Sequence, residues 1–307
     1  MKFHHPWFIA VWPGMGNIAM TAGYYLMAKL EMHLHAEFSP RELFEFEHVE
    51  VKDGLIQTAS LPSSRLFVWV DPAKQHDIIL FIGEAQPPRG KYAFCRRLIE
   101  YARQLEVERV FTFAAMATAM HPTHPSRVFG AATDEVNLAE LKRLELEILN
   151  DGQISGLNGL LLGVAKELGV PGACLLGEMP HVLSQMTYPK GALAVLEAFL
   201  IMAKLDIDVE EIKQQSANFD EQLGKFLARL ERSMGGEAVE EVEEEGQMER
   251  PAESRLSFHD RHRIEELFHQ SKSDRSKAYE LKNELDKLQI FPEYEERFLD
   301  LFKRVED

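Results

Sequence analysis

Cysteine is scarce. Cys95 and Cys174 are the only two in 307 residues, and two cysteines so far apart in a long chain are not a disulfide framework, so a reducing compartment is expected. Basic charge is also short: 34 Lys and Arg stand against 50 Asp and Glu, for a formal net charge of −16. No run of Lys or Arg stands apart from this acidic background. A nucleic-acid backbone or an anionic membrane surface would be repelled rather than held. Long apolar runs are missing too. Ala192–Ala203, the longest beyond the N-terminal region, carries Glu197 and is too short to span a bilayer. Lys2 and the apolar stretch Trp7–Trp12 look like the start of a secretory signal, but Pro13-Gly14 breaks the stretch and no clean small-residue cleavage site follows. These absences predict a cytoplasmic chain with neither nucleic acid nor membrane as a partner.

What is present is a large apolar fraction, 45%, enough to fill the core of one large domain or two smaller ones. Phe8–Trp12 is a continuous apolar run of the kind found in strands buried on both faces. A turn, Pro13-Gly14-Met15-Gly16-Asn17, separates it from Ile18–Met32, whose nearly all-round apolar character predicts a helix inside a large domain. Leu34–Phe38 reads as a second strand. Phe46–Val51 and Leu55–Leu61, joined through Lys52-Asp53-Gly54, read as a hairpin, because Asp-Gly supplies the positive φ angles that tight turns need. Further strands are expected at Leu66–Val70, Ile78–Ile82, Val110–Ala115 and Gly172–Leu176. Helices are expected at Tyr92–Leu105, from an Asp134 cap to Leu149, at Leu157–Leu168 and from Pro189 to near Lys204. Strands alternating with helices predict a mostly parallel sheet covered on both faces.

Beyond Asp208 the character changes. Ile212, Phe219, Leu223, Phe226 and Leu230 put one apolar stripe on a long helix that starts at a capping-box-like Asp208 and Glu211. Ser233–Ser254 is crowded with Glu and holds few large apolar residues, so it cannot offset its ordering entropy and is expected to be a disordered linker. Leu256–Phe268, Asp274–Leu288 and Pro292–Val305 read as short amphipathic helices. The expected division is an α/β core at 1–232, an acidic linker at 233–255 and a helical extension at 256–307.

Several motifs could carry chemistry. Gly14-Met15-Gly16-Asn17-Ile18-Ala19 fits G-x-G-x-x-A between a strand and a helix, with Glu37 placed about where a ribose-binding acid would stand. The hairpin that follows interrupts the β-α-β series such a fingerprint needs, and the glycines read instead as permitting a tight turn and close helix packing. No Lys-Ser or Lys-Thr follows, so the phosphate-loop pattern is absent. In Gly152-Gln153-Ile154-Ser155-Gly156 the serine stands one place too late for a nucleophile elbow, and Ser155 reads as a helix cap. His121 and His124, in a loop after an apolar strand, could bind a metal or move protons, yet Pro122 rules out a helical pair and no Cys or Asp ligand is near. Glu84 and Glu178 close two apolar strands. They could converge for acid–base work or could each cap a helix or pair with an arginine. A pocket at the strand carboxyl ends would draw on Gly14, Met15, Gly16, Asn17, Glu84, His121, Ser155, Asn158 and Glu178, with no catalytic residue, metal or cofactor assigned.

Trp12–Asn17, Phe81-Ile82-Gly83-Glu84, Gly130-Ala131-Ala132-Thr133-Asp134, Ile154-Ser155-Gly156-Leu157-Asn158-Gly159-Leu160-Leu161-Leu162-Gly163 and Leu175-Leu176-Gly177-Glu178 together resemble the proteasome assembly chaperone two family, in its archaeal and bacterial branch. Their order and spacing carry the resemblance, which runs from about Trp7 to Leu230. It implies a three-layer α/β/α domain of the phosphorylase/hydrolase-like kind and homo-oligomers. It also implies, as in characterised relatives, binding of proteasome α-subunits rather than catalysis. Some archaeal relatives dock through a C-terminal hydrophobic-Tyr-any tail, whereas this sequence ends Arg304-Val305-Glu306-Asp307. Two functions follow: a non-catalytic protein-binding scaffold, or a small-ligand binder or enzyme using the strand-end pocket.

Overall fold

A computed structural model describes residues 2–45, 49–58, 61–233, 256–273 and 277–288, and positions 290, 291, 294, 297, 298 and 301. The chain divides into two compact units, Met1–Leu223 and Gly224–Asp307.

The first unit is built on an eight-stranded sheet. Its strands in chain order are β1 (Trp7–Val11), β2 (His33–Phe38), β5 (Ser64–Trp69), β6 (Ile78–Gly83), β7 (Arg109–Thr118), β8 (Val128–Ala132), β9 (Glu147–Ile148) and β10 (Gly172–Pro180), while β3 (Val49–Lys52) and β4 (Leu55–Thr58) form a separate hairpin. The spatial order is β2-β5-β6-β1-β7-β10-β8-β9. The central strands β6, β1, β7 and β10 run parallel, as do β8 and β9; the β2–β5, β5–β6 and β8–β10 pairs are antiparallel. The sheet is mixed but mostly parallel, as the strand–helix alternation predicts.

Burial on both faces explains the continuous apolar runs. Phe8 and Ala10 of β1, with Trp12 just after it, pack with helix α2 (Lys91–Gln104) and helix α4 (Gly156–Glu167) through Phe94, Leu98, Ile99, Leu157 and Leu161. On the opposite face, α1 (Ile18–Lys29) presents Gly23 against Val11, and Phe199 of α5 (Pro189–Ala203) stacks edge-on against Trp7, Phe111 and Phe113. Each large side chain so buried contributes roughly 1.5–3 kcal/mol. The result is a three-layer α/β/α arrangement. Cys95 and Cys174 are free and buried in it, and desolvation pushes both thiols up to about 12.

One expectation needs correction, and one strand was not expected. The helix capped by Asp134, α3, runs only over Glu135–Arg143. It stops because Glu145 takes a φ of 59° and the Leu146 N–H bonds back to Leu141 O, a six-to-one closure that turns the chain out into β9. Strand β8, hidden among small residues, fills the space beside β10. Among the other expectations, the hairpin residues 46–48 and 59–60 and most of the expected linker, 234–255, lie outside the described residues, as does much of Pro292–Val305.

In the hairpin, Val51 pairs with Ile56 and Val49 with Thr58, so these four share one face; Val49, Val51 and Ile56 are all exposed. Helix α6 (Glu210–Ser233) begins in the first unit. The second unit contains α7 (Phe258–Ser273) and α8 (Lys277–Lys287), which enclose a core of Ile264, Leu267, Phe268, Leu281 and Leu285. Among the described residues no helix is long and apolar enough to cross a membrane.

Candidate functional site

The carboxyl ends of the parallel strands carry a cleft of about 490 Å³, within the ~300–1,000 Å³ range of ligand pockets. It opens where β1 leads to α1 on one face of the sheet and β6 leads to α2 on the other, the crevice in which open α/β sheets hold ligands. Gly14 and Met15 form one wall, residues 114–117 of β7 the floor, and Gln153–Gly156 with Asn158 the facing wall; Gln86 lies across them.

Gln86 joins the two walls. Its Nε2 donates to Pro13 O at 3.0 Å, and its Oε1 accepts from the Leu157 N–H at 3.2 Å. It lies where a side chain at Gly156 would stand: a Cβ there would come 2.9 Å from Gln86 Nε2. Ser155 occupies the cap position of α4, as expected, but its hydroxyl caps none of the helix amides. Asn158 is only 5% exposed, and its Oδ1 has no hydrogen-bond partner among the described residues. Gly159 is needed for close approach, since a Cβ there would fall 1.9 Å from Ile154 O.

The glycine turn is committed to its own fold. Gly16 N–H donates to Ser184 O, Asn17 N–H to Gly14 O, and Ile18 N–H to Met15 O. Gly16 sits at φ 63°, against Met179 and Tyr188, a conformation that costs other residues roughly 1–2 kcal/mol. Three amides at this turn, those of Gly16, Asn17 and Ile18, thus already have acceptors within the protein. Gly16 and Asn17 line a shallower depression of about 200 Å³ with Ser184–Thr187, which Gly14 and Met15 also border.

Of the nine sequence-derived residues, the larger cleft brings together Gly14, Met15, Ser155 and Asn158. Glu84, His121 and Glu178 are not among its lining residues. Glu84 accepts from the Ser63 N–H at 2.8 Å and from Arg65 at 3.3 Å. Hydrogen bonding from Ser63 holds its carboxyl below the usual range, with Arg65 adding and burial opposing. Glu178 is fully buried and forms a two-pronged pair with Arg127 at 2.8 and 2.7 Å, with Thr118 Oγ1 at 2.7 Å. Each carboxylate therefore pairs with an arginine, the plainer of the two sequence readings. His121 is exposed and its Nδ1 lies 2.7 Å from Thr123 Oγ1. Its loop is held by Lys190, whose Nζ donates to Pro122 O at 2.9 Å and His124 O at 3.3 Å. No group of three or more His, Cys, Asp or Glu is placed to share a metal ion among the described residues. Sequence reasoning missed Gln86 and Lys190; neither stands in a recognisable motif, and their partners lie about 70 residues away.

Comparison with known proteins agrees with this architecture. An uncharacterized protein of Methanocaldococcus jannaschii is 25% identical over 229 residues, 72% of this chain and 83% of that protein. The crystal structure of Pyrococcus furiosus PbaB, an archaeal proteasome activator, superposes with a TM-score of 0.62 at 24% identity, covering 74% of this chain and 95% of PbaB. Pyrococcus furiosus PbaA, an archaeal homologue of proteasome-assembly chaperone, gives 0.59 at 24% identity over 76% of this chain and 92% of PbaA. The PAC2 family model matches residues 8–227, from the first strand into helix α6, and the chain belongs to the PAC2 family.

Proposed function

We propose that this protein is a non-catalytic binding factor that acts by protein–protein contact, with a proteasome-like subunit as its partner and a homo-oligomer as its working form. The observation that carries the reading is the family match across 8–227, nearly the whole first unit, in the company of PbaA and PbaB. Two features of the molecule support it. Among the described residues the cleft lining contains no ionisable side chain, which suits a role other than acid–base catalysis. The hairpin leaves Val49, Val51 and Ile56 uncovered, the kind of apolar surface that marks contact with another macromolecule. A cytoplasmic setting belongs to the same reading.

The test is affinity capture of the full chain from its source cells with mass spectrometry, together with its mass in solution by light scattering. Recovery of proteasome α-type subunits on a homo-oligomeric bait is expected. A monomer that recovers no specific partner contradicts the proposal.

A further inference from the structure

We infer that strand β3 is a self-association edge: it pairs antiparallel with β3 of a second copy about a two-fold axis at Val51, joining two hairpins into one four-stranded sheet. The inference rests on the homo-oligomer of the proposed function and assigns it a surface.

The hairpin is incomplete alone. Among the described residues β3 and β4 pair only with each other and not with the eight-stranded sheet. Two strands by themselves are marginal in water, and three or more with an apolar face are needed for independent stability. An open outer edge is also a row of unpaired backbone donors and acceptors, a template for another strand. The turn fixes which of these groups point outward. Asp53 and Gly54 both have positive φ, 53° and 78°, so the two-residue turn is closed by a hydrogen-bonded pair of Lys52 and Leu55. Bonded and non-bonded pairs alternate along an antiparallel ladder. The backbone groups of Lys52 and Glu50 therefore face β4, and those of Val51 and Val49 face away from it.

The sequence of β3 selects the occupant. Val51 stands between Glu50 and Lys52. Pairing of the strand with itself about Val51 sets Val51 opposite Val51, where the two exchange backbone hydrogen bonds. It also sets position 50 of each copy opposite position 52 of the other, two pairs of opposite charge, which stabilise a cross-strand contact. An axis at position 50 or 52 would instead set Glu opposite Glu or Lys opposite Lys, which destabilises it. Such reciprocity, 50 on 52 and 52 on 50, is what an isologous two-fold contact requires. The strand is balanced in charge as well, in a chain whose formal charge of −16 drives copies apart elsewhere.

The joined sheet keeps one apolar face. Val49, Val51 and Ile56 share a face of the hairpin and are each more than half exposed. A two-fold axis perpendicular to the sheet sets the three from each copy side by side. A contiguous apolar patch of this kind marks contact with another macromolecule, so self-pairing builds the partner-binding surface from two halves.

The experiment is sedimentation velocity of the full chain over a concentration series, with three variants whose folding is checked by circular dichroism. Glu50→Lys and Lys52→Glu each set like charges opposite one another in both pairs, and each is expected to weaken association by about tenfold or more. Mixed in equal amounts, the two variants restore opposite charges at both pairs, and the mixture is expected to associate as the wild type does. Val51→Pro removes the outward N–H while sparing the bonds to β4, and is expected to weaken association as well. An oligomer of unchanged strength in all three folded variants overturns the inference and leaves the homo-oligomer standing. Weakened single variants whose mixture stays weak also overturn it. A monomeric wild type overturns both the inference and the homo-oligomer. Partner capture is read in its own assay, so its failure is distinguishable from these.

Discussion

Two helices start beside the same cleft and end their chain entries differently. Helix α1 follows the glycine turn, and the amides of Gly16, Asn17 and Ile18 all donate to protein carbonyls. Helix α4 follows Ser155, which makes no side-chain cap, and only a borrowed amide oxygen, Gln86 Oε1, reaches its Leu157 N–H. The start with the stronger binding signature in sequence is closed by its own fold, and the plainer one faces the cleft. Glycines mark where a backbone must bend. They do not reveal where its hydrogen bonds go, and that second question decides whether a helix start can hold a ligand.

The largest effect that would sharpen this contrast is at Gly159. Gly159→Ala drives a Cβ into the Ile154 carbonyl, a backbone atom that cannot swing away. A loss of about 3 kcal/mol is expected, at the upper end of overpacking costs, read as a lower urea midpoint with unchanged slope. Wild-type stability here would mean that the tight approach at the α4 start does not exist.

Gly16→Ala comes next. The φ of 63° costs about 1–2 kcal/mol, while the facing Met179 Sδ, 2.8 Å from the added carbon, belongs to a flexible side chain that can move. A variant as stable as the parent in denaturant melts would argue against the closed turn.

Helix α3 provides a third, conventionally capped start for scale. Asp134 accepts from the Val136 and Asn137 amides, and Asp134→Ala is expected to cost about 1 kcal/mol at neutral pH. Its carboxyl lies below the usual aspartate range: desolvation opposes ionisation but is outweighed by bonds from Asn137, Thr133 and Val136. A depressed folded value means the stabilisation is present above the unfolded value of about 3.9 and fades as pH falls through the folded one. The gap between wild type and Asp134→Ala should therefore narrow below about pH 4. A gap that stays constant to pH 2 would show that the charge is not what caps this helix.

The smallest effect is at Ser155. Since its hydroxyl caps nothing, Ser155→Ala is expected within about 0.5 kcal/mol of wild type. A loss as large as that of Asp134→Ala, measured in the same melts, would show that α4 is capped by its serine after all and would erase the difference between the two starts.

The central strands were legible because burial on both faces leaves an unbroken apolar run, as in Phe8–Val11 and Ile78–Ile82. Strand β8 was not, because Gly130, Ala131 and Ala132 carry too little apolar bulk to stand out. The overrun of α3 has a different cause. Its stop uses Glu145 at positive φ rather than a glycine, so no residue type marks the end, while Leu144, Leu146 and Leu149 continue the periodicity. At the cleft, Gly14, Met15, Ser155 and Asn158 could be named from strand ends and helix starts. Gln86 could not, since its role depends on carbonyl and amide partners 73 and 71 residues away. Glu84 and Glu178 looked alike as strand-end acids, and only folding shows that Arg65 and Arg127 face them.

The contrast between the two starts can be read directly by amide hydrogen exchange of the full chain followed by NMR. The account predicts slow exchange at the Gly16, Asn17 and Ile18 amides, which donate to protein carbonyls, and fast exchange at the Gly156 amide that opens α4 without a side-chain cap. Fast exchange at Gly16, Asn17 and Ile18 with a protected Gly156 would contradict it.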